Sequence, residues 1–244
     1  MATPPTLSAS SATVFNTGTS PKTSAAVSAN VGDILVACVA DENTDPSQAY
    51  TYSNSGTAQT WVKQTATGGT TDADAWAQTA TAIVANTLTS QTISATFSAG
   101  GSGQWYGLAA YVFSGSDGVG ASARTAATGG AASLAITTSF DNSALVVVCA
   151  DWSAADGTSR VWRTVNGYTP TVGNGQEKAY FRDSAHYAAY SAYYPDAGTA
   201  GSKTVGLSTP SGGDFELAAV EIRGSAGGAA PIPPPLVMQT RRAY

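Results

Sequence analysis

The sequence predicts an all-β protein: an antiparallel, jelly-roll-like β-sandwich built from two pseudo-repeated halves, plus an extended Pro-rich C-terminal arm. Three observations carry that reading. The apolar run Asp33–Asp41 (DILVACVAD) returns 110 residues further on as Ser143–Asp151 (SALVVVCAD). The events after each run recur in the same order. Gln59–Lys63 matches Arg160–Arg163, Gln91–Ser94 matches Lys203–Gly206, and Leu108–Ser116 matches Leu217–Ser225. Finally, no segment shows apolar residues at a 3.6-residue period, whereas short β-branched and aromatic runs bounded by Gly, Asn and Ser are frequent.

The two repeated runs read as strands buried on both faces, because they are almost continuously apolar and close on an Asp. Before the first, Met1–Thr19 reads as an extended arm able to supply an edge strand, and Ser24–Ala29 alternates weakly. After it, Asp41–Ser55 reads as a polar loop. Strands are then expected around 59–67, 74–84, 91–98 and 104–115, separated by Gly-rich and Ala-Asn turns. Ser116–Gly130 is a small-residue stretch that aligns with the N-terminal arm, and is read as a connector crossing within one fold. The second half is expected to place strands at 133–140, 144–151, 160–165, a pair within 178–194, 203–209 and 216–223. The domain therefore covers 1–225, with half-repeats over about 20–116 and 130–225, and 226–244 forms a hinge and arm. One sandwich with a shared core is preferred. Two tandem immunoglobulin-like sandwiches are the other arrangement, without the disulfide and Trp spacing of that fold.

Composition narrows the function. Only 11% of residues are charged, and Ala, Thr, Ser and Gly take their place, giving a neutral, hydroxyl-rich surface. A net charge of −5 argues against nucleic acid, which needs clustered Lys and Arg. No stretch approaches the roughly 18 apolar residues of a membrane span, and the start carries no signal-peptide pattern. Cys38 and Cys149 lie in the two repeated runs but one residue out of step, so they are expected on opposite faces as buried thiols, with a disulfide or redox role as the other reading. The expected setting is a reducing cytoplasm.

Candidate chemistry is sparse. The single histidine, His186, has no nucleophile elbow to serve. A paired-carboxylate cleft needs two acids across a cleft, and Glu177, Asp183, Asp72 and Asp74 are candidates only because nothing excludes them. The Asp41–Asp45 loop could hold Ca²⁺ or be a solvated loop. Trp61 and Trp162 occupy matching places in the repeat, which favours packing. Trp152 and Tyr187, with Tyr190, Tyr193 and Tyr194, could instead be exposed, and Trp152 and Tyr187 are the candidate glycan contacts. No metal or cofactor site is expected, and no enzyme activity. The C-terminal arm is the strongest partner signal. Pro231, Pro233, Pro234 and Pro235 hold it extended, Ile232, Leu236, Val237 and Met238 are apolar anchors, Arg241 and Arg242 are the only adjacent basic pair, and Tyr244 closes it.

The segments VGDILVACVADEN, GSDGVG, DGTSRVWRTVNG, SKTVGLS and LAAVEIRGS, spread over Val31 to Ser225, resemble a family of tailed-phage virion proteins, minor tail or structural proteins of phages infecting actinobacteria. The resemblance implies a non-enzymatic component of a virion, tail or capsid, present in many copies or as a homo-oligomer, bound to other virion proteins and in some cases touching a host-surface glycan. It carries over no catalytic residue. The Pro231–Tyr244 ending differs from the Arg-rich endings of that family. A carbohydrate-binding or adhesin module is the alternative class.

Overall fold

The computed structural model describes residues 2–11, 14–17, 20–41, 50–64, 75–97, 105–151, 159–182 and 187–226. All regular elements among them are β-strands. The first half contains β1 (Thr6–Ser10), β2 (Val14–Thr17), β3 (Lys22–Thr23), β4 (Val27–Ala29), β5 (Ile34–Asp41), β6 (Tyr50–Asn54), β7 (Trp61–Gln64), β8 (Trp76–Ile83), β9 (Leu88–Gln91), β10 (Ile93–Phe97) and β11 (Trp105–Ser114). The second contains β12 (Ser116–Thr128), β13 (Ala131–Thr138), β14 (Ala144–Asp151), β15 (Val161–Trp162), β16 (Glu177–Arg182), β17 (Ala188–Tyr194), β18 (Gly201–Ser211) and β19 (Asp214–Gly224).

The repeat in the sequence is a repeat of topology. The larger sheet of the first half runs β1-β11-β5-β8-β7, with β2 also on β11; that of the second runs β12-β19-β14-β17-β16. Smaller sheets, β3-β10-β6 and β13-β18-β15, cover one face of each, and β4 pairs with β9. All pairings are antiparallel. Each half is thus a sandwich-like pair of sheets.

The central strands explain their own composition. All eight residues of β5, and all eight of β14, are buried. Leu35, Ala37 and Val39 point into the first half's own core with Tyr50, Ile93 and Phe97. Ile34, Val36, Cys38 and Ala40 point the other way, into a third apolar layer with Val146, Val148, Ala218, Val220 and Ile222 of the second half. The halves therefore stack back to back through their larger sheets. Both halves contribute to this middle layer, and each half also encloses a core of its own. The stacking is reciprocal. β5 lies on β14 and β8 on β19, while Tyr111 and Phe113 of β11 meet Ser191 and Tyr193 of β17.

Three expectations need correction. Ser116–Thr128 is not a connector but a 13-residue edge strand paired along β19. Its alignment with the N-terminal arm was sound, because β1 holds the same edge position beside β11. Tyr50–Asn54, inside the expected polar loop, is strand β6, and pairs with β10. Trp61 and Trp162 are not topological equivalents: Trp61 lies on β7 of the larger sheet, Trp162 on β15 of the smaller one. Both still pack on their own half's core.

Candidate functional site

Polar chemistry concentrates where the halves meet and at the end of β19. At the seam, Glu216 of β19 is 3% exposed and accepts the main-chain N–H of Ala77 in β8, at 2.7 Å. Arg124 of β12 pairs with the same carboxylate, and its guanidinium carbon lies 3.5 Å from the Trp76 ring centroid. Three strands, β8 of the first half and β12 and β19 of the second, are tied by one acid. Burial lifts the Glu216 carboxyl above its ordinary value, against the pull of Arg124 and the Ala77 N–H.

Glu221, fully buried on the same strand, faces a different environment. It accepts main-chain N–H groups of Ala121 at 2.7 Å, Ser139 at 3.0 Å and Phe140 at 3.1 Å, with the Ser139 and Ser143 hydroxyls each at 2.8 Å. Burial pushes its pKa up, but the N–H groups of Ala121 and Ser139 and the two hydroxyls outweigh it, so the carboxyl sits below its ordinary value. Gly120 makes room for it: a Cβ there would overlap the carboxylate. This requirement explains the glycine at position 120 of β12.

The end of β19 is clamped. Thr3 and Ser225 exchange main-chain hydrogen bonds at 3.1 and 3.0 Å, and their hydroxyls meet at 2.6 Å. Asn142 donates its side-chain amide to Ala2 O at 2.7 Å, and the Ala226 N–H donates to Asp117 at the start of β12. Ala226, the last described residue, is therefore held at the end of β19.

A cleft of about 360 Å³ lies in the second half, beside β15 and β16. Its lining includes Arg160, Trp162, Val172 and Glu177. Arg160 grips Glu177 bidentately and stacks 3.7 Å from the Tyr180 ring centroid, and the Trp162 indole N–H donates to Glu177 at 2.8 Å. Val172, 70% exposed, forms an open wall.

The sequence-derived candidates separate sharply. Tyr187 is 3% exposed within the middle apolar layer, so its ring cannot face a sugar; Tyr190 and Tyr194 are also buried, and Tyr193 partly. Trp152, His186, Asp183, Asp72, Asp74 and the arm from Pro231 to Tyr244 lie outside the described residues, as does the Asp41–Asp45 loop after Asp41. Asp41 itself is buried and accepts the Tyr50 hydroxyl, and that phenol is pushed well above its ordinary pKa by burial and by the carboxylate. Glu177, the one of the four candidate acids that lies among the described residues, is held by Arg160 and Trp162. Cys38 and Cys149 are free and buried, Cys38 in the middle layer and Cys149 in the second half's core, on opposite faces as their register implied. Burial pushes the Cys38 thiol up to about 12, and Cys149 well above its ordinary value. Among the described residues, no group of three or more His, Cys, Asp or Glu is placed to hold a metal ion, and no helix is long and apolar enough to cross a membrane.

Sequence reasoning missed Glu216 and Glu221. The signal was present: in the matched run LAAVEIRGS, Glu221 stands where the first half has the buried Val112. An acid at a core position of a strand must be hydrogen-bonded. No family model matches the sequence, and no curated protein or solved structure is found to be similar to it.

Proposed function

We propose that this chain is a non-enzymatic structural or decoration component of a tailed-phage virion, a minor tail or capsid-associated protein. In this reading it assembles in the host cytoplasm and is attached to other virion proteins through the Pro231–Tyr244 arm, in multiple copies. The observation that carries the reading is the clamp at Thr3, Asn142 and Asp117, which fixes the point from which the arm departs. An extended, proline-stiffened segment loses little entropy on binding, and a rigid origin limits the loss further. The back-to-back sandwiches, with Glu216, Glu177 and Glu221 committed to Arg124, Arg160 and main-chain N–H groups, suit a rigid building block. The sequence resemblance points to the same class. The test is deletion of residues 226–244 followed by particle purification and copy counting by mass spectrometry. Loss from the particle is expected; incorporation at the wild-type copy number overturns the arm as anchor.

A carbohydrate-binding role is the second reading, favoured by the Arg160–Glu177 cleft, where planar charged groups lie beside the Tyr180 ring. Glycan-array binding that is lost on Val172→Arg, which fills the cleft from an exposed position, would support it.

A further inference from the structure

The seam between the halves is not covered evenly. Val62 of β7 pairs with Thr81, which pairs with Val36 of the middle layer, so Val62 belongs to the same sheet face as that layer. Yet Val62 is 54% exposed, and Ile83, facing the same way, is 58% exposed. The equivalent end strand of the other half, β16, is covered there: Ala179 is 6% exposed. The first sheet overhangs its partner. Val62, Gln64, Thr81 and Ile83 line one side of a groove of about 340 Å³, and Val119 of β12 lines the other.

We propose that this groove is the seat of the chain's own C-terminal arm, with Ile232 and the Leu236–Met238 run covering Val62, Ile83 and Val119. The place from which the arm departs argues for this occupant. Ala226 is held by Asp117, and Val119 is two residues along the same strand, about 7 Å away. Ile232 lies six residues past Ala226, a reach of up to about 20 Å. The intervening Gly227-Gly228-Ala229-Ala230 places no stiff residue before the prolines. The chemistry fits as well. The groove offers aliphatic side chains flanked by hydroxyl and amide groups, and the arm carries four aliphatic or thioether side chains within seven residues. Tethering raises the effective concentration of the arm to the millimolar range, so a small contact suffices. The inference concerns the free chain. The particle experiment above, which asks what the arm binds in an assembly, succeeds or fails independently.

The sequence supplies the probe. It holds two methionines, Met1 and Met238, so methyl-¹³C methionine labelling yields two resonances. In the full chain the Met238 methyl is expected away from its position in a synthetic Pro231–Tyr244 peptide, with nuclear Overhauser contacts to Val62 and Ile83. The Val62→Asp and Ile83→Asp variants, both at exposed positions, should return it to the peptide position. A wild-type Met238 methyl already at the peptide position and without those contacts overturns the proposal, and needs no variant. Contacts that appear only between labelled and unlabelled chains in a mixed sample also overturn it, and give the groove to a second copy.

Discussion

Replacing Glu221 with Ala removes the carboxylate that joins β12 and the β13–β14 turn to β19. Three main-chain N–H groups, of Ala121, Ser139 and Phe140, then lose their acceptor. The Ser143 hydroxyl keeps the Phe140 carbonyl as a partner, at 3.0 Å. An unsatisfied buried donor costs about 1–3 kcal/mol, and partial rehydration at this edge strand favours the lower end, so the total is about 3–5 kcal/mol. In a chain of this size that lowers Tm by roughly 6–20 °C. Differential scanning calorimetry and urea titration measure both quantities. The pH dependence sharpens the test. Glu221 is held below its ordinary value of 4.5, so its share of stability is present above that value and lost as pH falls through the lowered one. The Ala variant should therefore show a shallower acid limb. Gly120→Ala, which pushes on the same carboxylate, should destabilise too, and its effect should be less than additive with Glu221→Ala. A Glu221→Ala loss under about 1 kcal/mol, with an unchanged acid limb, would refute the account.

Two further outcomes test the seam. Arg124→Ala strands Glu216 without its cation and should cost about 3–5 kcal/mol, whereas Arg124→Met with Glu216→Gln should cost less; equal costs in urea titration would remove the pair from the argument. Because Glu216 titrates above its ordinary value, its share of stability is full below that value and is lost as pH rises through the raised one. A fragment ending at Ser116 bares Ile34, Val36, Tyr111 and Phe113 of the middle layer and should aggregate or bind a hydrophobic dye. Sedimentation showing a folded monomer at that length would contradict the packing.

Much of the fold was legible because burial on two faces leaves a plain mark. The runs at Ile34–Asp41 and Ala144–Asp151 could hardly be anything but central strands, and parity alone put Cys38 and Cys149 on opposite faces. β12 was illegible as a strand because its run of Gly, Ala, Ser and Thr has few β-branched or aromatic residues, and Gly120 in particular answers to the Glu221 carboxylate. β6 was hidden because Tyr50 and Tyr52 sit among polar residues. The match of Trp61 to Trp162 misled because indoles dominate a local alignment, while hydrogen-bond partners that decide topology lie far off in sequence, on β8 for one and β18 for the other. Tyr187 read as an exposed ring for a related reason: nothing local says that a second sheet lies over it.

The reciprocal stacking of β5 on β14, β8 on β19 and β11 on β17 has the form of an isologous contact, the kind made by two identical subunits about a dyad. A single half on its own would present that face to a twin. Joined in one chain, the twins associate without any dependence on concentration, and neither must remain a copy of the other. The chain has used that freedom: Glu216 and its pair with Arg124 stand at one end of the seam, while at the mirrored place Gly107 borders a void of only about 10 Å³. A true homodimer would have to carry the acid at both ends or at neither. Duplication within one polypeptide is what permits a symmetric frame to bear a one-sided surface, with the groove at one side of the seam and the charged cleft on the second twin alone.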